Sequence, residues 1–362
     1  MSQVNMKIAV LSYSFLPKLG GGEIVVSRLA SYLSKKGNTV FIISNCKGFA
    51  GTPKNYIVYQ TPRLCCESIS RIAHLLVAPF MLLFIHLMNR IDVVQAAGLT
   101  DLFVALPIRL IFRVPIVLRL VGWKRLNIIK RLKKVVSVAA DVIVTVNSNL
   151  RAELSKGGFS ENQIVTIYNG VNINKFRPSS ANRGKIVMLW VGKLDSHKRA
   201  HLAIETLSFV KGTYKNLCLQ IVGQGCMEEQ LRELVSKYDL QESVRFLGYQ
   251  SHNKVAEIMR NADIFLITSK SEGMSNALLE AMACGMAVVA TYTSAISVIQ
   301  NGVNGFIANY PEEMASVVSR LVDDDVLRRK IGEQARRTVL EKFSADRMFY
   351  MYSQLYKKLT RK

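Results

Sequence analysis

Ile264-Phe265-Leu266-Ile267, the loop Ser269-Lys270-Ser271-Glu272-Gly273-Met274-Ser275-Asn276, then Ala277-Leu278-Leu279-Glu280-Ala281-Met282-Ala283-Cys284-Gly285 and Ala287-Val288-Val289-Ala290 read as strand, glycine loop, helix and strand. Strands joined through a helix lie parallel in one sheet, because a direct return needs only a hairpin. In such sheets ligands bind outside the carboxyl ends of the strands, so the loop at 269–276 is the place to look for chemistry.

Working outward, the same alternation fills the chain twice. After 264–267 and 287–290, the second half also offers strands at 185–192, 217–223 and 244–248, and the first half at 7–11, 39–44, 91–95, 115–119, 141–146 and 164–167. Between the halves, Asn169-Gly170-Val171-Asn172 leads to Phe176-Arg177-Pro178-Ser179-Ser180, a linker by its turn residues. A chain of 362 residues is long for one core and suits two, since domains run roughly 100–200 residues. The expected class is α/β, with two Rossmann-like domains facing across a cleft. The expected boundaries are 1–170, 171–344 and a final helix, 345–362.

Glu272 and Glu280 are separated by seven residues, the first in the glycine loop and the second inside the helix. Unpaired N–H groups at a helix start attract phosphate or a sugar hydroxyl, and a carboxylate one or two turns in can accept both hydroxyls of a ribose. The stretch resembles the EGxxNxxLEAMAxG motif of family 4 glycosyltransferases, which have the GT-B fold and a retaining mechanism. That resemblance implies Glu272 on the donor sugar and Glu280 on the nucleotide ribose, with Gly273, Met274 and Asn276 lining the site. Val191-Gly192-Lys193-Leu194-Asp195-Ser196-His197-Lys198 is similar to the family's GRL followed by lysine, so Lys193 and Lys198 would clamp the diphosphate beside Gly192. Gly223-Gln224-Gly225, Val244 to Gly248 and the Asn169-Gly170-Val171 hinge also match. Pro17 through Gly20-Gly21-Gly22-Glu23 resembles the family's PxxGGxE loop, a diphosphate or acceptor contact through Gly20 and Gly21.

The chain departs from the pattern in places. Lys193 stands where arginine is usual, and Arg199 replaces a glycine. Gln95 and Val121 occupy positions where the family carries or adjoins histidines, so no N-terminal histidine is carried over as a sugar contact. Arg119 is then either a substitute contact or part of a buried strand-end salt bridge. Ser294-Ala295-Ile296-Ser297 replaces a glycine-rich loop near the donor, leaving the sugar unread.

The formal charge is +22, unevenly placed: residues 1–170 hold 21 Lys/Arg against 7 Asp/Glu, whereas 171–362 hold 27 against 19. Such a surface favours phosphorylated substrates or anionic lipid. The basic segment Lys124–Lys134 has no aromatic platform beyond Trp123, so no nucleic-acid partner is expected. The apolar stretch His74–Met88, about fifteen residues, is short of the roughly twenty that span a bilayer and reads as a buried or interfacial helix. Six cysteines without a CxxC pair, and a first apolar run too short for a signal core, point to the cytosol. Asp323-Asp324-Asp325 lies between helices, where N-caps are usual, and His197 with His201 lacks a third ligand, so no metal and no cofactor are expected. The resemblance implies a nucleotide-sugar donor as co-substrate and a glycan or lipid-linked acceptor, and the charge of residues 1–170, with the Lys124–Lys134 and His74–Met88 segments in the same half, leads us to expect peripheral attachment to the inner face of the cell membrane. A non-catalytic basic binding protein and a transferase making a soluble disaccharide-type product remain the alternatives.

Overall fold

The structure, a computed structural model, describes residues 5–15, 21–46, 56–123, 126–179, 185–295 and 297–360. It divides into two compact units, one of Met1–Tyr168 with Met348–Lys362 and one of Asn169–Arg347.

The first unit is built on β1 (Lys7–Leu11), β2 (Thr39–Ser44), β3 (Ile57–Gln60), β4 (Val93–Ala96), β5 (Ile116–Leu120), β6 (Val142–Thr145) and β7 (Ile164–Thr166). All pairs are parallel and the order is β3-β2-β1-β4-β5-β6-β7, reversing direction between β1 and β4. Its helices are α1 (Gly21–Lys35), α2 (Glu67–Asn89), α3 (Leu99–Phe112), α4 (Leu126–Arg131), α5 (Lys133–Ala139) and α6 (Ser148–Lys156). The central strands are buried on both faces, which is why they read as continuous apolar runs.

The second unit repeats the plan with β8 (Ile186–Val191), β9 (Leu217–Val222), β10 (Val244–Gly248), β11 (Ile264–Ile267), β12 (Ala287–Ala290) and β13 (Phe306–Ile307), ordered β10-β9-β8-β11-β12-β13 and again parallel. Around it stand α7 (His201–Val210), α8 (Glu228–Lys237), α9 (His252–Arg260), α10 (Asn276–Ala283), α11 (Tyr292–Ala295), α12 (Pro311–Asp323) and α13 (Asp325–Lys342). Trp190, Leu207, Ile221, Val318 and Leu321 meet in its core.

A carboxylate closes the amino end of three strand pairs. Asp92 accepts from the Lys7 amide at 2.6 Å while its own amide donates to the Lys7 carbonyl at 2.8 Å. Asp141 does the same with Ile116, and Asp263 with Val187.

The last helix, α14 (Ala345–Thr360), begins in the second unit, and from Met348 onward it belongs to the first. Tyr352 and Tyr356 are fully buried there, with the Tyr356 hydroxyl on Gln95 and Phe349 against Tyr32. Gly170 explains how tightly the chain passes α14: a Cβ there would lie 2.6 Å from the Ala345 Cα.

Several elements differ from the sequence reading. β3 and β13 were not expected, because one is a half-exposed edge strand and the other is two residues long. α2 starts at Glu67 and runs 23 residues, seven residues upstream of the apolar stretch, so it is long enough to cross a membrane by length and hydropathy. The basic segment is broken at Leu132 into α4 and α5, with Leu126, Ile129 and Val136 buried. Lys124 and Arg125 lie outside the described residues.

Candidate active site

The loop after β8 and the loop after β11 are neighbours because β8 and β11 pair at the point where strand order reverses. They are tied together repeatedly. The Lys270 amide donates to the His197 carbonyl at 2.8 Å, and the His197 Nε2–H donates to the Ser271 carbonyl at 2.7 Å. Thr268 Oγ1 lies 2.8 Å from the carbonyls of both Lys198 and Arg199 and accepts from Trp190 Nε1 at 3.0 Å.

These bonds bring Lys198 and Glu272 into an ion pair, with both side chains mostly buried. The Asp195 side chain accepts from the His197 and Lys198 amides, each at 3.1 Å, and so sets the turn that aims Lys198. Lys193 sits farther out, 71% exposed, with its Nζ 3.8 Å from Asp195. Arg199 adopts φ 51°, a left-handed conformation that suits the glycine usual in the family and costs other residues roughly 1–2 kcal/mol. Its guanidinium offsets that by donating to the carbonyls of Thr268 at 2.7 Å and Ser269 at 3.2 Å. Burial lowers the Arg199 and His201 pKa values, so His201 is neutral near pH 7.

Glycines let the loops after β8 and β9 approach one another. A Cβ on Gly223, at φ 139°, would be 1.8 Å from the Gly192 carbonyl oxygen, and one on Gly225 would be 2.1 Å from that of Leu194. Gly192, expected beside the diphosphate, thus has a packing reason as well, since its own Cβ position is 3.0 Å from the Trp190 ring.

Ser275 caps α10, its hydroxyl accepting from the Leu278 amide. Glu280 is buried within this helix and receives His252 Nε2 at 2.8 Å. Lys175 Nζ stands 2.6 Å from His252 Nδ1 and 2.7 Å from Asn253 Oδ1. An ammonium only donates, so Nδ1 accepts and Nε2 carries the proton toward Glu280. Sequence reasoning missed His252 and Lys175; the Ser251 cap at the start of α9 marks the helix but gives no sign of what His252 touches. The same burial, with Glu280 nearby, pushes the Cys284 thiol up to about 12.

Met274 and Asn276 turn toward the hinge. The Asn169 amide lies 3.2 Å from Met274 Sδ, and Asn169 Nδ2 donates to Asn276 Oδ1 at 3.1 Å. Gly273 lies in the same loop, and Thr291 and Thr293 donate to the Ser269 carbonyl just before it. Of the N-terminal glycines, Gly20 lies outside the described residues and Gly21 is the first residue of α1. Arg119 is 3% exposed and lies in β5 beside Tyr352. Asp323 accepts from Tyr214, Asp324 caps α13, and Asp325 pairs with Arg328 and Arg329.

The first unit has its own cavity, about 440 Å³, at the carboxyl ends of β1 and β2 and the start of α2. Tyr13, Asn45, Arg63, Cys66, Glu67 and Ser70 line it. Nothing in the motifs pointed to it, because its lining comes from three separated segments.

Residues 19–175 match the family described as Glycosyltransferase Family 4, and residues 172–338 match Glycosyl transferases group 1. An uncharacterized glycosyltransferase of Methanocaldococcus jannaschii is 28% identical over 242 residues, 64% of this chain and 62% of that protein. The matches span about three-fifths of the length of the curated relatives. The structure of HepE from Anabaena in complex with UDP and glucose aligns with a TM-score of 0.79 at 20% identity, over 98% of this chain and 100% of that one. The apo form of WaaB, a lipopolysaccharide outer core galactosyltransferase, gives 0.70 at 21% identity over 98% and 100%. At these identities the likeness speaks to the fold, two Rossmann-like units of the GT-B kind. With one family match on each unit and both sheets in the strand order of that fold, the chain belongs to the family 4, group 1 glycosyltransferases.

Proposed function

We propose that the chain is a retaining, metal-independent transferase that moves a sugar from a nucleoside diphosphate to a glycan or lipid-linked acceptor. The reading that fits best is cell-envelope polysaccharide, lipopolysaccharide or glycolipid synthesis, in the cytoplasm and peripheral on the inner face of the membrane. The observation that carries the reaction is the Lys198–Glu272 pair at the carboxyl ends of β8 and β11. The UDP and glucose held by HepE support a nucleotide-sugar donor, and WaaB supports an envelope acceptor.

In this reading the C1–oxygen bond to the diphosphate breaks as charge gathers on the leaving phosphate, and Lys193 and Lys198 favour that state over the bound substrate. The acceptor hydroxyl attacks C1 on the face the phosphate leaves, and its proton passes to that phosphate. Glu272 holds the donor sugar. Glu280 accepts the ribose hydroxyls, held in place by His252 and Lys175. The cavity beside β1 and β2 takes the acceptor.

Lys198→Ala is expected to lower turnover by about two to three orders of magnitude with the fold intact, and wild-type turnover is expected to persist in excess EDTA. Full activity in the variant, or loss to chelator with rescue by Mn²⁺, refutes the proposal. Thermal-shift screening of UDP-, GDP- and ADP-sugars identifies the donor, since a ligand that binds the folded state raises its Tm.

A further inference from the structure

The outer face of α2 is apolar and exposed along its length. Leu76, Phe80, Phe84 and Leu87 are 61–73% exposed, and they fall on the side opposite the buried stripe Ser70, His74, Ala78, Leu82 and Ile85. The face continues onto α3, where Leu110 and Ile111 are 65% and 62% exposed, and the His86 and Phe112 rings, 4.5 Å apart, join the two helix ends. Val138 extends it to α5. A face this large on a single unit signals a binding surface.

Its charge is one-sided. From Ser68 to Asn89 the only charged residue is Arg71, and on α3 the lone carboxylate, Asp101, is buried. Both helices end on an exposed arginine in the left-handed conformation, Arg90 at φ 55° and Arg113 at φ 57°. Glycine or asparagine is the unstrained choice there. Two arginines therefore stand at the rim of the apolar face despite the strain, with Arg131 and Lys134 also exposed nearby in sequence.

We infer that the α2–α3 face inserts into the acyl–headgroup boundary of an anionic bilayer, with α2 lying in the membrane plane and Arg90 and Arg113 on the lipid phosphates. An apolar face with arginines at its rim, its one exposed α2 carboxylate, Glu67, being paired with Arg71, is what such a surface binds. The buried stripe of α2 packs on the first unit, which favours a helix lying in the membrane plane over one that spans it. The cavity lined by Glu67 and Ser70 opens at the amino end of the same helix, which places the polar head of a lipid-linked acceptor beside its own membrane. The inference rests on the membrane part of the proposed function and is independent of the donor chemistry.

The test is flotation of the full chain with vesicles of phosphatidylcholine containing about one-third phosphatidylglycerol, and with phosphatidylcholine alone. Wild type is expected to float with the anionic vesicles, less so as salt rises. The Phe80→Ser, Phe84→Ser double variant, folded by its melting curve, is expected to partition at least about tenfold more weakly, and Arg90→Gln with Arg113→Gln to bind with a shallower salt dependence. Fluorescence of a Phe80→Trp variant is expected to be quenched by acyl-brominated lipid. Wild-type flotation that survives the double serine variant unchanged, without quenching, overturns the insertion while leaving a purely electrostatic membrane attachment. A wild type that never floats overturns both, and if it dimerises through Phe80 and Phe84 instead, a second copy covers the face.

Discussion

Gly225→Ala tests whether the loops after β8 and β9 act as one rigid piece. The added Cβ would stand 2.1 Å from the Leu194 carbonyl oxygen, 2.6 Å from its carbon and 2.9 Å from its nitrogen. That is more than roughly 1 Å inside an ordinary carbon–oxygen contact, and both partners are backbone, so no side chain can swing away. The loops are also bonded to each other, Leu194 N to Gln224 O at 3.0 Å and Met227 N to Leu194 O at 3.1 Å. Relief therefore comes by shifting the segment that carries Lys193 and Lys198. Overpacking of this kind costs about 1–3 kcal/mol, which a domain stable by about 5–15 kcal/mol survives. A displacement of about 1 Å at Lys198, in its proposed role beside the leaving phosphate, costs roughly a hundredfold in rate. The expected result is a folded protein with a modestly lower Tm and kcat reduced about a hundredfold. Gly212→Ala, where nothing lies within 4 Å of the added carbon, is the matched control and should leave both unchanged. Wild-type kcat in Gly225→Ala with an unchanged Tm would refute the coupling.

Glu280→Gln and His252→Ala should each raise KM for the nucleotide sugar roughly tenfold with kcat little changed, because the proposed ribose contact would be made in ground and transition states alike. A fall in kcat at constant KM, seen in steady-state kinetics, would mean that the buried pair serves the reacting centre. Thiol labelling at pH 8 should modify Cys65, Cys66 and Cys226 quickly in the native protein, since all three are exposed. Cys284, with its thiol pushed up to about 12, presents roughly one thiolate in ten thousand at that pH and should react only on unfolding. Rapid native labelling of Cys284, read by mass spectrometry, would contradict its burial.

The strands that bear chemistry were legible because each is buried on both faces and so spells a continuous β-branched run, as in Ile264-Phe265-Leu266-Ile267. β3 escaped because Ile57 and Gln60 face solvent at the sheet edge, which breaks the run. The start of α2 escaped for a similar reason: Glu67, Ser68 and Arg71 look like loop residues until Ser70 is seen turning its hydroxyl to the Leu64 backbone. Lys198 and Glu272 came from resemblance, and the structure adds the bonds that bring them together. His252 had no local signal, since its partner Glu280 is 28 residues away and its partner Lys175 is 77 residues away. Arg199 at a glycine position looked like an anomaly in the sequence and is explained by the carbonyls its guanidinium reaches.

The three aspartates at the strand starts divide labour within each sheet. Asp92 fastens β4 to β1, and Asp263 fastens β11 to β8, the corresponding pair in the other unit, each by two bonds to a single residue. Register at these central pairs is thereby fixed from the amino side, leaving nothing for the loops at the opposite end to specify. Away from the close backbone contacts at Gly223 and Gly225, those loops can change length and residue without unsettling the sheet. An altered loop such as Ser294–Ser297, or an arginine in place of glycine at 199, is thus a change the scaffold can accept. Natural divergence in this chain, and deliberate redesign of its donor or acceptor, should concentrate at the carboxyl ends while Asp92, Asp141 and Asp263 tolerate least.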